Sequence, residues 1–314
     1  GLGDVYKRQW GVFAVCQRGK HQSGRRVAVP QTCSQPEQCG GGARHFYTSA
    51  TRERVGDEVL GDRQSESESP RVGSRAWLEA SGGRLNNAQR LRMLGTSIRT
   101  QRDLLIQRVG PRKPPAIDVM DALEFPDSRL VREAENAAAE QSPQLLAHSY
   151  RSAIFASALA RIDGVDVDHE LLIVCGLLHD VGLIPSVAGE DFTLRSARIA
   201  SDVADACGHG NACDDIFDAI VVHTTVGVDA TKDGALGAYT QFGAMVDLVG
   251  LRERHLPREF VMATTHRYPR VGFPKAIIKG LHGEARAVPG GRFDFVRRVG
   301  FGPAIRIAAV PSRP

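Results

Sequence analysis

The sequence predicts an all-α domain, and three observations predict it. Apolar residues recur at helical spacing through most of the chain after residue 116. Capping residues, prolines and glycines punctuate those stretches where helices should start and stop. No run of alternating strand residues persists; Val221-Val222 and the segment from Ile305 to Val310 are the only β-like patches.

Taken in order, the first 92 residues read as a disordered or artefactual extension. Gly, Ser, Gln and Arg dominate there, and no period persists. The run from Asp4 to Gln9 resembles a translated sequencing adapter, and Met93 is a candidate start. Residues 93–115 are expected to be a linker, stiffened at its end by Pro111, Pro114 and Pro115. Ser142-Pro143 supplies an N-cap and a first-turn proline for a helix running to about Ile162. On it His148, Phe155, Leu159 and Ile162 share one face, which points His148 inward. Gly164 ends that helix, and Asp168 caps the next. There Leu172, Cys175 and His179 share a face, and Gly182 and Pro185 close it. Further helices are expected at about 193–206, 215–224, 236–250, 257–266, 274–286 and 290–299. Residues 301–314 read as a C-terminal tail.

Composition narrows the function classes. Hydrophobic residues make up 42% of the 314 and charged residues 24%, an ordinary globular balance. No apolar run approaches the roughly 20 residues needed to cross a bilayer. The six cysteines form no CxxC pair and no framework, and Cys175 reads as a buried free thiol, so a reducing cytoplasm is expected. Residues 1–114 carry 20 Lys and Arg against 10 Asp and Glu, whereas the remainder carries 20 against 26. The upstream arginines are scattered, with few aromatics and no recognisable module, which disfavours nucleic acid as a partner.

The chemistry concentrates in a few side chains. His179-Asp180 stands at the end of the apolar stretch Cys175-Gly176-Leu177-Leu178. A buried carboxylate needs a cation or strong donors, and a metal would satisfy both residues. Imidazole and carboxylate ligands together suit Zn²⁺, Mn²⁺, Fe²⁺ or another first-row divalent ion. His148 faces inward from the preceding helix. Asp247 interrupts the apolar stretch from Phe242 to Val249, with Gly243 and Ala244 one turn earlier to let helices approach.

This order, His148, His179-Asp180 and Asp247 on successive helices, resembles the HD superfamily of metal-dependent hydrolases. The resemblance covers about 116–300 and implies an HD-domain helical bundle with divalent-metal ligands at His148, His179, Asp180 and Asp247. Within that superfamily the segments Val222–Val228, Gly243–Leu251 and Pro289–Arg292 resemble the cyanamide hydratase-like group. Val181-Gly182-Leu183 is apolar where many HD phosphohydrolases carry a basic or polar residue, which points away from a tightly held phosphate.

The resemblance implies water activated by the ion for attack on a small molecule, with a nitrile-like substrate as the leading reading. Phosphoester hydrolysis on a nucleotide is the alternative, and a non-catalytic module with a closed structural metal is a third reading. Asp180 is expected both to bind metal and to accept a proton. His223 shares a face with Ile216 and Ile220 and is a catalytic candidate, for orienting substrate, moving a proton or holding a second metal; a capping or core histidine is the alternative. Thr224 and Thr225 offer hydroxyls or cap the helix end. Arg151 braces a ligand, meets an anionic substrate or forms an exposed salt bridge, and Arg195 and Arg198 carry the same readings. His169, His209, His266 and His282 receive no role. A small-molecule substrate is the expected partner, self-association is left open, and no membrane partner is expected.

Overall fold

A computed structural model describes residues 70–109, 112, 117–308 and 310. Those residues form helices joined by short turns, with no strand among them. The expectations for residues 1–69, the adapter-like run included, lie outside the described residues.

Three helices form the centre: α4 (Pro143–Ile162), α5 (His169–Leu178) and α9 (Ala235–Val249). Pro143 opens α4 as its sequence requires, and the Asp168 side chain caps α5 by accepting from the Leu171 N–H. The three pack unusually close because two glycines face α4. A Cβ at Gly176 of α5 would stand 2.5 Å from the Ala153 Cα, and one at Gly243 of α9 would stand 2.1 Å from the Ser152 carbonyl oxygen. Small residues thus bring the inner face of α4 against both partners, and that face carries His148.

Around this centre lie α3 (Arg129–Ala138), α6 (Phe192–Ala206), α7 (Cys213–Val222), the short α8 (Ala230–Asp233), α10 (Arg258–Arg267), α11 (Phe273–Ala287), α12 (Arg292–Arg298) and α13 (Phe301–Arg306). The helices expected from 193 to 299 appear within a few residues of their expected bounds. Helix α3 was not anticipated; Ser128 caps it, and Leu130, Val131, Ala134 and Ala138 form its buried face. Both β-like patches are corrected: Val221-Val222 ends α7, and Ile305 lies buried within α13.

Upstream of residue 116 the structure departs from the expected extension and linker. Helices α1 (Arg75–Ser81) and α2 (Asn87–Val109) pack on the domain. Trp77, Leu78, Leu85 and Met93 are buried in the same core as α5, α6 and α7. The backbone of Leu85 bonds to Gly290, which ties this segment to the start of α12. Burial of these large apolar groups is the physical reason that a segment of polar average composition is ordered.

Candidate metal centre

Helix geometry brings His148, His179 and Asp180 to one point. His148 lies six residues into α4, on the face against which α5 and α9 pack. His179 is the C-cap of α5, and Asp180 follows as the chain turns away. All three are buried. His148 Nε2 is 3.3 Å from His179 Nε2 and 3.6 Å from Asp180 Oδ2, and His179 Nε2 is 3.5 Å from that same oxygen. A tetrahedral ion with bonds of about 2.0–2.1 Å spaces its ligands about 3.3–3.4 Å apart. The three atoms therefore outline one face of such a coordination sphere, and the donor set suits a divalent ion.

The rings are also held the right way round. His179 Nδ1 bonds the Gly176 carbonyl at 2.9 Å, and His148 Nδ1 bonds Asp247 Oδ2 at 2.7 Å. Each Nδ1–H donates, so each Nε2 keeps a lone pair directed at the shared point. Burial pushes the His179 imidazole down to about 3, which leaves it neutral and able to ligate. Burial opposes ionisation of Asp180, but the surrounding imidazoles, His179 foremost, hold its carboxyl well below the usual range. The His148 ring stacks on Phe273, with centroids 4.6 Å apart.

Asp247 lies against the far nitrogen of the His148 ring. It is not among the mutually close ligand atoms. Its carboxylate is consumed from behind. Arg151 donates from Nε to Oδ1 at 2.8 Å and from Nη2 to Oδ2 at 2.7 Å, while Arg270 Nε lies 2.8 Å from Oδ1. Burial would raise the Asp247 carboxyl, but the Arg151 and Arg270 guanidiniums hold it far below the usual range. Asp247 thus orients His148 and neutralises two buried arginines. Arg151 is fully buried against Asp247, so it is not an exposed salt-bridging arginine. Arg195 is largely buried and holds the loop after Asp180 through the Gly182 carbonyl, whereas Arg198 is exposed and pairs with Glu190.

His223, the C-cap of α7, approaches from the other side. Its Nε2 is 3.7 Å from Asp180 Oδ1, and its Nδ1 bonds the Ile220 carbonyl. It lies outside the three-residue cluster but shares the carboxylate with it.

Above Asp180, His179 and His223 opens a cavity of about 220 Å³. Its walls are mostly apolar, with Phe242, Met245, Leu248 and Ile277 among them. The polar groups are few: Thr224, Gln241, and Ser97, Thr100 and Gln101 of α2. Among the described residues no Lys or Arg lines it. The Thr224 hydroxyl is buried and has no hydrogen-bond partner, an orphan group at the cavity wall. Gln241 donates to the His223 and Thr225 carbonyls and so fixes the turn that carries His223.

Sequence reasoning missed Arg270, Gln241 and the α2 wall. A signal for α2 was present. Asn86 and Gln89 form a reciprocal capping box, each side chain bonding the other's backbone N–H, just ahead of helically spaced Met93, Ser97, Thr100 and Leu104.

No curated protein matches the chain. Residues 145–259 match the family model of the HD domain, a class typically of metal-dependent hydrolases. That segment contains His148, His179, Asp180, His223 and Asp247. The buried His-His-Asp cluster lies within the segment that is similar to the HD domain.

Proposed function

We propose that this protein hydrates a small, neutral, nitrile-like molecule in the cavity above Asp180. The observation that carries the reading is the wall chemistry: about 220 Å³, largely apolar, with no cationic side chain among the described residues. Nucleotide and phosphoester sites rely on Lys, Arg or clustered N–H groups to balance phosphate charge. The cavity is also smaller than the roughly 300–1,000 Å³ of pockets for drug-sized ligands. Both features favour hydration over the phosphoester alternative.

His148, His179 and Asp180 would hold a divalent ion, with Asp247 fixing the His148 ring. A divalent ion bound there supplies Lewis acidity and makes water acidic near neutral pH. His223 accepts a proton from the attacking water at Nε2, since its Nδ1–H is already committed to the Ile220 carbonyl. The water oxygen bonds to the nitrile carbon, one carbon–nitrogen π bond breaks, and the nitrogen takes up the proton. Thr224 offers its unpartnered hydroxyl to the polar end of the substrate. The apolar walls exclude other water.

The test is a paired assay on the metal-loaded protein. Cyanamide with urea as readout should give turnover, and nucleoside monophosphates should release no phosphate. Phosphate release without urea would replace this reading with the phosphoester one.

A further inference from the structure

Helix α11 has two working faces. Ile277 and Leu281 line the cavity above the metal centre. On another face Lys275, Lys279, His282 and Arg286 recur at i, i+4, i+7 and i+11, a single stripe about 16 Å long at 1.5 Å per residue. Arg306 of α13 lines the same groove, which encloses about 660 Å³ and has Ile184, Pro274 and Ile278 as its apolar surface.

The charge in this groove is uncompensated. No Asp or Glu lines it. Among the described residues the side chains of Lys275, Lys279, Arg286 and Arg306 have no ion-pair or hydrogen-bond partner. Elsewhere on the surface Arg75, Arg132, Arg161, Arg198, Arg267 and Arg298 each hold a carboxylate. The only acid on α11, Glu284, turns inward to the Phe192 N–H and Arg195. Like charges at i, i+4 destabilise a helix. A stripe of them around an apolar floor makes a concentrated positive field that an anion would relieve.

We propose that this groove binds a small oligophosphate anion with an apolar body, at a site separate from the metal centre. Lys275, Lys279, Arg286 and Arg306 contact the phosphates, and Ile184, Pro274 and Ile278 support the body. The groove's volume falls within the usual range for small-molecule sites. No Phe, Tyr or Trp lines it to stack successive bases, which disfavours single-stranded nucleic acid. His282, without a role in the sequence reading, belongs to this stripe.

The experiment is calorimetric titration of the full chain with ATP, inorganic triphosphate and a single-stranded oligonucleotide, in chelator so that metal bridging plays no part. ATP is expected to bind saturably and triphosphate to compete with it, with affinity falling as salt rises. The double variant Lys279→Gln/Arg286→Gln should weaken ATP at least tenfold with an unchanged thermal midpoint, and Lys275→Gln/Arg306→Gln provides an independent second pair. Asp180→Ala should bind ATP as the unaltered chain does, which keeps the result independent of the proposed hydratase reading. No ATP binding below 1 mM, binding unchanged in both double variants, or oligonucleotide binding that triphosphate does not displace would each overturn the proposal.

Discussion

Asp247 Oδ2 lies 2.7 Å from His148 Nδ1, and Arg151 Nη2 grips that same oxygen at 2.7 Å. The carboxylate therefore serves two tasks: it fixes the ring of a candidate ligand and neutralises a buried guanidinium. Asp247→Asn removes the charge needed for both. Metal affinity is expected to fall about 10- to 100-fold, as for other partners behind a ligating histidine. Stability should fall by about 3–5 kcal/mol because Arg151 and Arg270 lose their counter-charge. Metal titration followed by denaturant unfolding reads both, and unchanged metal affinity would remove the orienting role.

His223 touches the shared carboxylate from outside the ligand cluster. His223→Ala should retain the metal while turnover falls about 10²- to 10⁴-fold. Elemental analysis alongside the assay separates this from a ligand role, since loss of metal in the variant would make His223 a ligand.

Glu284 gives a pH signature away from the metal. Burial pushes its carboxyl up to about 7 from an ordinary 4.5, against the pull of the Phe192 N–H and Arg195. The fold therefore prefers the protonated form. Its contribution is complete below about pH 4.5 and is lost as pH rises through about 7. The stability of the unaltered chain relative to Glu284→Gln should decline across that window. A difference that stays constant from pH 4.5 to 7.5 would contradict the assignment.

Trp77 reports on the upstream helices. It is 3% exposed and packs in the core shared with α5, α6 and α7. Trp77→Ala should cost about 3–5 kcal/mol in denaturant unfolding, the usual range for truncating a buried aromatic. A loss below about 0.5 kcal/mol would mean that α1 is not part of the folded domain.

The sequence made the central helices legible because they carry strong local signals: Pro143 at a helix start, Asp168 as a cap, and inward imidazoles at helical spacing. The His148, His179 and Asp180 set was readable for the same reason. The arginine partners of Asp247 were not, since Arg151 and Arg270 come from different parts of the chain and meet only in the folded core. The α2 wall of the cavity was hidden by averaging. Five arginines and three glutamines interrupt its apolar residues, and the capping box at Asn86 and Gln89 is a short signal at its start.

The central claim is that His148, His179 and Asp180 hold a divalent ion. Elemental analysis of the purified full chain beside His179→Ala and Asp180→Ala tests it most directly. About one divalent ion per chain is expected in the unaltered protein and almost none in either variant. A metal-free unaltered protein that is still active, or an Asp180→Ala variant with unchanged metal content and activity, would contradict the claim.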